Sequence, residues 1–150
     1  MELLGYKFRK IDHLIQKYFT ARMRNDGKEL TRMQCGTIRY LCEHDKEEVF
    51  QKDYEKAFSI TGATATNILK LMEKDGIILR IPIERDARMK KLVLTEKGYR
   101  LEEQAKSNIR VLENQMIKGF TEEEVTTFRG LLDKVTQNIV ELIEDPPREI

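Results

Sequence analysis

Apolar residues recur every three to four positions through the first third of the chain, which is the spacing of amphipathic helices. Turn residues at 25–27 end the first helical pattern, Thr31 can cap the second, and a charged connection over 45–48 separates the second from the third. The pattern therefore predicts three helices before residue 60, over Phe8–Met23, Arg32 to about His44, and Gln51–Phe58.

A fourth helix is indicated by an apolar stripe with i, i+3, i+4, i+7 spacing. Thr61 precedes the stripe, where its hydroxyl can accept a hydrogen bond from an early backbone N–H, and Gly76 follows it at the position of a left-handed C-cap. The stripe consists of Ala65, Ile68, Leu69 and Met72.

Two segments rich in strand-forming residues come next, Ile77–Ile83 and Met89–Leu94. Between them lies a charged stretch, Glu84–Arg88, which we expect to form the whole tip of a hairpin. A capped helix followed by a hairpin with a charged tip is the outline of a winged helix-turn-helix.

The remainder of the chain predicts two long helices. Thr95 can cap the first of them and Gly119 can end it, whereas Thr121 and Glu124 fit a capping box at the start of the second. The last helix has a heptad seam of Val125, Phe128, Leu132, Val135, Ile139 and Leu142.

Three motifs that follow one another along the chain make it resemble the MarR family of winged helix-turn-helix transcriptional regulators. They are Met72-Glu73-Lys74-Asp75-Gly76-Ile77-Ile78 with Arg80, then Asp86-Ala87-Arg88, then Leu94-Thr95-Glu96-Lys97-Gly98. The resemblance covers roughly residues 5–143. The chain departs from the family pattern at four positions. Glu55 stands where a small alanine is usual, and Ser59 stands in place of a turn glycine. Leu71 and Ala87 stand where basic residues are common.

The fold class expected from these observations is mainly α (α+β), in one MarR-like domain over residues 1–150. We expect the winged helix-turn-helix lobe at roughly 31–95 and a helical dimerisation region at 5–25 and 96–145. The apolar faces of the terminal helices would otherwise lie in water, which favours a two-fold homodimer built from both chain ends. The alternative is that these helices fold back onto the core of one chain.

The net charge is only +1, but the charges are unevenly distributed. Residues 61–91 contain seven basic and four acidic residues, whereas residues 119–150 contain three basic and eight acidic ones. The basic excess thus coincides with the predicted fourth helix and hairpin. No apolar run is long enough for a membrane span, and no basic-then-apolar leader begins the sequence, so we expect a cytoplasmic protein.

The polar side of the fourth helix and the hairpin carry residue types that bind DNA. Asparagine can bond adenine bidentately, threonine offers a hydroxyl or a methyl, and lysine reaches guanine or phosphate. The predicted DNA-binding residues are Thr64, Thr66, Asn67, Lys70, Lys74, Arg85, Arg88 and Lys90. Small residues at the helix start, Gly62 and Ala63, would let the backbone approach the duplex. The family resemblance implies that Arg88 enters the minor groove and that Asp86 braces the loop.

Other chemistry is sparsely represented. His13 and His44 lack metal-site spacing, no nucleophile has a recognisable base, and we expect neither a cofactor, nor a metal, nor enzymatic activity. Cys35 and Cys42 are seven residues apart on one predicted helix, about 10 Å along its axis and too far for a mutual disulfide. Family members often bind small anionic or aromatic compounds, for which His13, Tyr18, Arg39 and Tyr40 are candidate ligand-binding residues here.

The sequence thus favours a sequence-specific, DNA-binding transcriptional regulator that acts as a homodimer on a pseudo-palindromic operator. The resemblance suggests repression, and activation stays open, as does control by a small-molecule effector. Two alternatives remain. One is a thiol-based redox sensor on the same scaffold, and the other is a winged helix used for protein–protein contact.

Overall fold

The computed structural model describes residues 3–146, which form six helices and two small antiparallel sheets. The helices are α1 Leu4–Arg22, α2 Arg32–Glu43, α3 Gln51–Phe58, α4 Gly62–Lys74, α5 Glu96–Met116 and α6 Glu122–Glu144. The strands are β1 Arg24–Asn25, β2 Lys28–Glu29, β3 Ile78–Ile83 and β4 Asp86–Leu94. The chain divides into two compact units, one ending at Ile109 and the other beginning at Arg110. The fold is a mainly helical winged helix-turn-helix, as the sequence predicts.

The core of the first unit holds α2, α3 and α4 together. Tyr54 of α3 is completely buried, and its hydroxyl lies 2.9 Å from that of Thr37 in α2, which also donates to the carbonyl of Met33. The predicted stripe of α4 packs into this core, where Leu69 and Met72 have no exposed surface. Apolar periodicity therefore located the buried face of α4 correctly.

Side chains predicted to cap helices do so. The Thr31 hydroxyl accepts from the Gln34 backbone N–H while the Gln34 side chain accepts from Thr31, which completes a capping box at α2. Thr61 accepts from the backbone of Thr64 at the start of α4. Each pairing satisfies a donor that the first turn of a helix leaves free, so these residues fix where the helices begin.

The wing is the β3–β4 hairpin, and its tip is shorter than the sequence suggested. Our expectation that Glu84–Arg88 forms the whole tip is wrong, because Asp86 already pairs with Ile83 and only Glu84 and Arg85 lie in the turn. The register shifts between Pro82 and Ile83. Proline has no backbone N–H to give to the ladder, so an irregularity beside it is expected.

A small hairpin, β1–β2, follows α1 and was not predicted as strands. Asp26 and Gly27 both have positive φ, at 50° and 77°, which suits a two-residue hairpin turn. The hairpin is fastened to the end of α4, because Asn25 donates to the carbonyl of Asp75 at 3.3 Å. Lys97 reaches the same carbonyl at 3.0 Å and the carboxylate of Asp26 at 2.6 Å.

The Leu-Thr-x-x-Gly motif joins the wing to α5. The Thr95 hydroxyl donates to the carbonyl of Gly76 at 2.6 Å and accepts from the Gly98 backbone N–H at 3.1 Å, so it caps α5 as predicted. A Cβ at Gly98 would lie 2.6 Å from the carbonyl oxygen of Ile77, closer than real side chains come. Glycine is therefore required at this position by close packing.

The second unit contains the end of α5 and all of α6. Gly119 has a φ of 87° after α5, and Thr121 with Glu124 forms the predicted capping box of α6. Its seam is largely uncovered in the single chain, since Ile139 is 52% exposed and Leu142 is 55% exposed. None of the helices formed by residues 3–146 has the length and apolar character needed to cross a membrane.

Candidate nucleic-acid interface

The exposed face of α4 is a continuous polar stripe opposite its buried face. Four of its members, at 63, 67, 70 and 74, recur three or four residues apart and lie in line along one side of the helix, and the others lie beside them. The exposed residues on this side are Ala63, Thr64, Asn67, Lys70, Leu71 and Lys74. We call this set the α4 stripe. It presents amide, hydroxyl, ammonium and apolar groups, which are the types that read base edges and contact phosphates.

The two candidate threonines differ in their surroundings. Thr64 is exposed on the α4 stripe, and its hydroxyl accepts a 3.0 Å hydrogen bond from that of Thr61. Thr66 is partly buried, and its hydroxyl accepts from the side-chain amide of Gln51 at 2.9 Å. The hydroxyl of Thr66 is therefore engaged with α3, which leaves Thr64 as the threonine available at the surface.

Gly62 packs closely against α3. A Cβ at this position would lie 3.1 Å from the Oε1 atom of Glu55 in α3, whereas the expectation that Gly62 lets the backbone approach DNA stays a prediction. The absence of a side chain at Gly62 leaves space for the Glu55 carboxylate, where the family usually has a small alanine. The carboxylate also lies beside the positive end of the α4 dipole, which is a favourable placement.

The wing carries exposed cations on a braced turn. Arg88 and Lys90 are both exposed on β4, and the Arg88 backbone N–H donates to the Asp86 carboxylate at 2.9 Å. Arg85 lies in the turn, where its guanidinium binds the Glu48 carboxylate at 2.6 Å. The wing thus offers two cations directly to solvent and a third that already has an anionic partner.

The wing is also linked to α4. The guanidinium Nε of Arg80 on β3 lies 3.4 Å from the Glu73 carboxylate in α4, which makes an ion pair between the two elements. This contact gives a physical reason for the Glu and Arg of the first family motif. It relates the orientation of the wing to that of the α4 stripe.

Two contributors to this surface were missed by sequence reasoning. Gln51 donates to α4 through Thr66 and through the carbonyl of Gly62 at 3.3 Å, and Glu48 holds Arg85 across 37 positions of sequence. Neither residue belongs to a recognisable motif. Their partners are set by tertiary packing, so the sequence contained no signal that could have found them.

The candidate effector-binding residues are not brought together. A cavity of about 320 Å³ lies among α1, α2 and α5 in the first unit, and only Arg39 of the four lines it. Tyr18 donates to the Asn108 carbonyl, and His13 is exposed on α1. Tyr40 packs against His44 at a tilted angle and against Phe58 edge to face. Other residues lining the cavity are Phe19, Met23, Leu30, Arg32 and Cys35.

A buried carboxylate pairs with Arg39, one of the residues that line this cavity. Glu102 of α5 is 3% exposed, and its Oε1 atom is 3.7 Å from the Nε of Arg39. Burial raises the pKa of Glu102, against the opposing effect of Arg39. Burial, reinforced by the Glu102 charge, also raises the pKa of the Cys35 thiol, and burial raises the pKa of Cys42. Raised pKa values leave fewer thiolates, which are the reactive form.

A helix that presents polar groups beside a cationic hairpin defines a winged helix-turn-helix DNA-binding protein. Comparisons with known proteins show the family. The chain is 30% identical over 112 residues to YybA of Bacillus subtilis, named as an HTH-type transcriptional regulator, an alignment covering 74% of this chain and 73% of YybA. The chain belongs to the MarR family of transcriptional regulators. No family model matches the sequence.

Solved structures of MarR-family proteins are similar to this chain as well. MepR of Staphylococcus aureus in complex with DNA is similar at a TM-score of 0.76 and 28% identity, covering 90% of this chain and 98% of that one. MarR of Oenococcus oeni is similar at a TM-score of 0.60 and 31% identity, covering 90% and 99%. MepR has also been solved with ethidium bromide bound. The protein is accordingly a DNA-binding transcriptional regulator.

Proposed function

We propose that the protein is a homodimeric repressor that binds a pseudo-palindromic operator and releases it when a small molecule binds. Each subunit would insert α4 into a major groove and place its wing in the flanking minor groove, with half-sites one helical turn apart. The observation that carries this proposal is the α4 stripe, whose exposed Asn67, Lys70 and Lys74 lie on the face opposite the buried core. MepR, a relative of similar fold, has been solved on DNA.

The homodimer is supported by apolar surface at both ends of the chain. In α1, Leu4 is 67% exposed and Leu14 is 54% exposed, and half of the α6 seam, including Ile139 and Leu142, is exposed as well. Covering each such side chain contributes about 1.5–3 kcal/mol, so two long helices left in water would be costly. A second copy of the chain offers the same surfaces and closes the contact by two-fold symmetry.

A small-molecule response is supported by the cavity in the first unit. Its volume of about 320 Å³ is at the lower end of the range for ligand sites, and its walls combine apolar side chains with Arg32 and Arg39. Two guanidinium groups beside an apolar surface suit a small aromatic anion. Titration with benzoate, followed by thermal unfolding, tests this. Stabilisation that Arg39→Gln abolishes supports the site, and no shift with either protein rejects it.

The DNA contacts are tested by selecting binding sites from a random-sequence duplex library. The proposal predicts sites with two inverted half-sites. Asn67→Ala should change the selected bases, because an amide that reads adenine is lost, whereas Arg88→Gln should weaken binding to all sequences. Arg88→Gln should also reduce the slope of log affinity against log salt by about 0.9, which is one phosphate contact. Lys106→Gln on α5 is the matched control. An unchanged site with Asn67→Ala contradicts the assigned reading residue.

A further inference from the structure

The wing turn is tied to the connection between α2 and α3. One guanidinium nitrogen of Arg85 lies 2.6 Å from a carboxylate oxygen of Glu48, and their side chains are 62% and 40% exposed. The two residues are 37 positions apart in sequence. Arg85 is one of the cations expected to contact DNA, so its existing partner bears directly on that contact.

The Glu48 carboxylate is carried on an anchored segment of backbone. Its neighbour Val49 is 4% exposed, and the Val49 carbonyl accepts a 2.7 Å hydrogen bond from the backbone N–H of Leu92 in β4. The connection between α2 and α3 therefore runs beside the wing and keeps Glu48 close to Arg85 and Lys91. Hydrogen bonding to Arg85 lowers the pKa of Glu48, and the charge of Lys91 lowers it further, so Arg85 and Lys91 both act on this one carboxylate.

A carboxylate and a phosphate compete for the same guanidinium. Both are oxygen acceptors that arginine binds through charge-assisted hydrogen bonds, commonly two at once. Arg85 can give its full charge to a DNA phosphate only when it leaves Glu48. A wing near the duplex would also bring the freed Glu48 carboxylate towards the negative backbone, and this adds to the cost of binding.

We propose that Glu48 is an internal competitor of DNA phosphate for Arg85, and that this ion pair lowers the affinity of the wing for DNA. The inference rests on the proposed function, in which the wing contacts DNA. In this proposal Glu48 does not touch DNA and acts on binding through Arg85. The opposite role, in which Glu48 holds Arg85 in the orientation that DNA needs, predicts an effect of opposite sign.

The test measures affinity and salt dependence for a duplex selected from a random library by the wild-type protein. Glu48→Gln keeps the shape of the side chain and removes its charge, and we expect binding to tighten roughly three- to tenfold. The log–log salt slope should become steeper by about 0.9, because Arg85 then neutralises a phosphate. Glu47→Gln removes the same charge from the adjacent exposed residue and is the matched control.

A double variant assigns the effect to the ion pair. In the Arg85→Gln background, Glu48→Gln should tighten binding clearly less than in the wild type and should leave the salt slope nearly unchanged, because no guanidinium remains to be released and only the repulsion between Glu48 and the phosphates is removed. The inference is overturned if Glu48→Gln weakens binding, or if Glu47→Gln tightens it equally. In both cases Arg88→Gln would still weaken binding. Should Arg85→Gln and Arg88→Gln both leave the affinity unchanged, the proposed wing contact itself has failed.

Discussion

The side-chain amide of Gln51, at the first residue of α3, donates a 2.9 Å hydrogen bond to the hydroxyl of Thr66 in α4. The contact joins the two short helices of the helix-turn-helix. The surroundings of the two nearby threonines of α4 therefore differ. Thr66 bonds to α3, whereas Thr64 is exposed at the surface.

Replacement of either threonine by valine tests this difference. Thr66→Val removes a partly buried acceptor, and we expect it to destabilise the fold by about 1 kcal/mol. Thr64→Val should cost less stability and should change DNA affinity more, because its hydroxyl is on the α4 stripe. Urea unfolding and binding to a selected duplex measure the two quantities. Equal losses of stability in the two variants would show that the Gln51 contact has no special weight.

Ser59 is a departure from the family pattern with a structural cost. It ends α3 in a left-handed conformation, with a φ of 51°, where a residue with a Cβ is strained and glycine is not. Ser59→Gly should therefore stabilise the protein by about 1 kcal/mol, after allowing for the greater freedom of glycine in the unfolded chain. Ser59→Ala keeps the Cβ and should bring no such gain. Chemical denaturation of the three proteins tests this, and a less stable glycine variant contradicts it.

Glu102 should make stability depend on pH. Its folded-state pKa is raised above the ordinary value of 4.5, so the native protein binds this proton more tightly than the unfolded chain does. Ionisation as pH rises through this window costs stability. We expect Glu102→Gln to gain thermal stability relative to the wild type as pH rises above the ordinary value of 4.5, with the gain levelling off above the raised folded pKa.

Glu47→Gln, at an exposed position whose charge is not among those acting on Glu102, is the control for a general loss of charge. It should not reproduce the pH-dependent gain of Glu102→Gln. If the thermal stability of Glu102→Gln falls relative to the wild type as pH rises, the ion pair with Arg39 outweighs the cost of burying the carboxylate.

The cysteines provide a test of the redox alternative. Because burial raises the pKa of both Cys35 and Cys42, few thiolates are present near neutral pH and reaction with peroxide should be slow. We expect peroxide to leave DNA binding unchanged in the wild type and in Cys35→Ser alike. Release of DNA by peroxide, abolished by Cys35→Ser or Cys42→Ser, would instead support a thiol sensor.

Local signals in the sequence determined the elements and their boundaries where caps and turn residues are present. The Thr31 cap, the Thr121 capping box and the limits of α3 were all predicted, whereas the second half of the box at Thr31, formed by Gln34, was not. The run of charged residues predicts a longer wing turn than the structure has, because charge alone does not distinguish a loop from an exposed strand and Asp86 is the first residue of β4. The β1–β2 hairpin was missed because strands of two residues have no periodicity to detect.

The candidate site could be predicted only in part, for a related reason. Exposure of Asn67 and Lys70 follows from the period of α4, which is a local property. The partners of Thr66 and Arg85 depend on where α3 and its preceding connection pack, and residue spacing does not encode this. The wing contact of Arg88 and the effector cavity remain proposals that the experiments above address.

The central claim is that two copies of the chain hold their α4 helices and wings at a fixed separation. Sedimentation of the free protein and of its complex with a selected duplex tests this most directly, using Ile139→Glu to place a charge in the exposed α6 seam and Gln137→Glu as the control on the same helix. We expect the wild type and the control to sediment at twice the mass of the 150-residue chain and to bind the duplex two chains at a time. Ile139→Glu should be monomeric and bind far more weakly. A wild-type protein that is monomeric when free and binds DNA as a single chain would contradict the account.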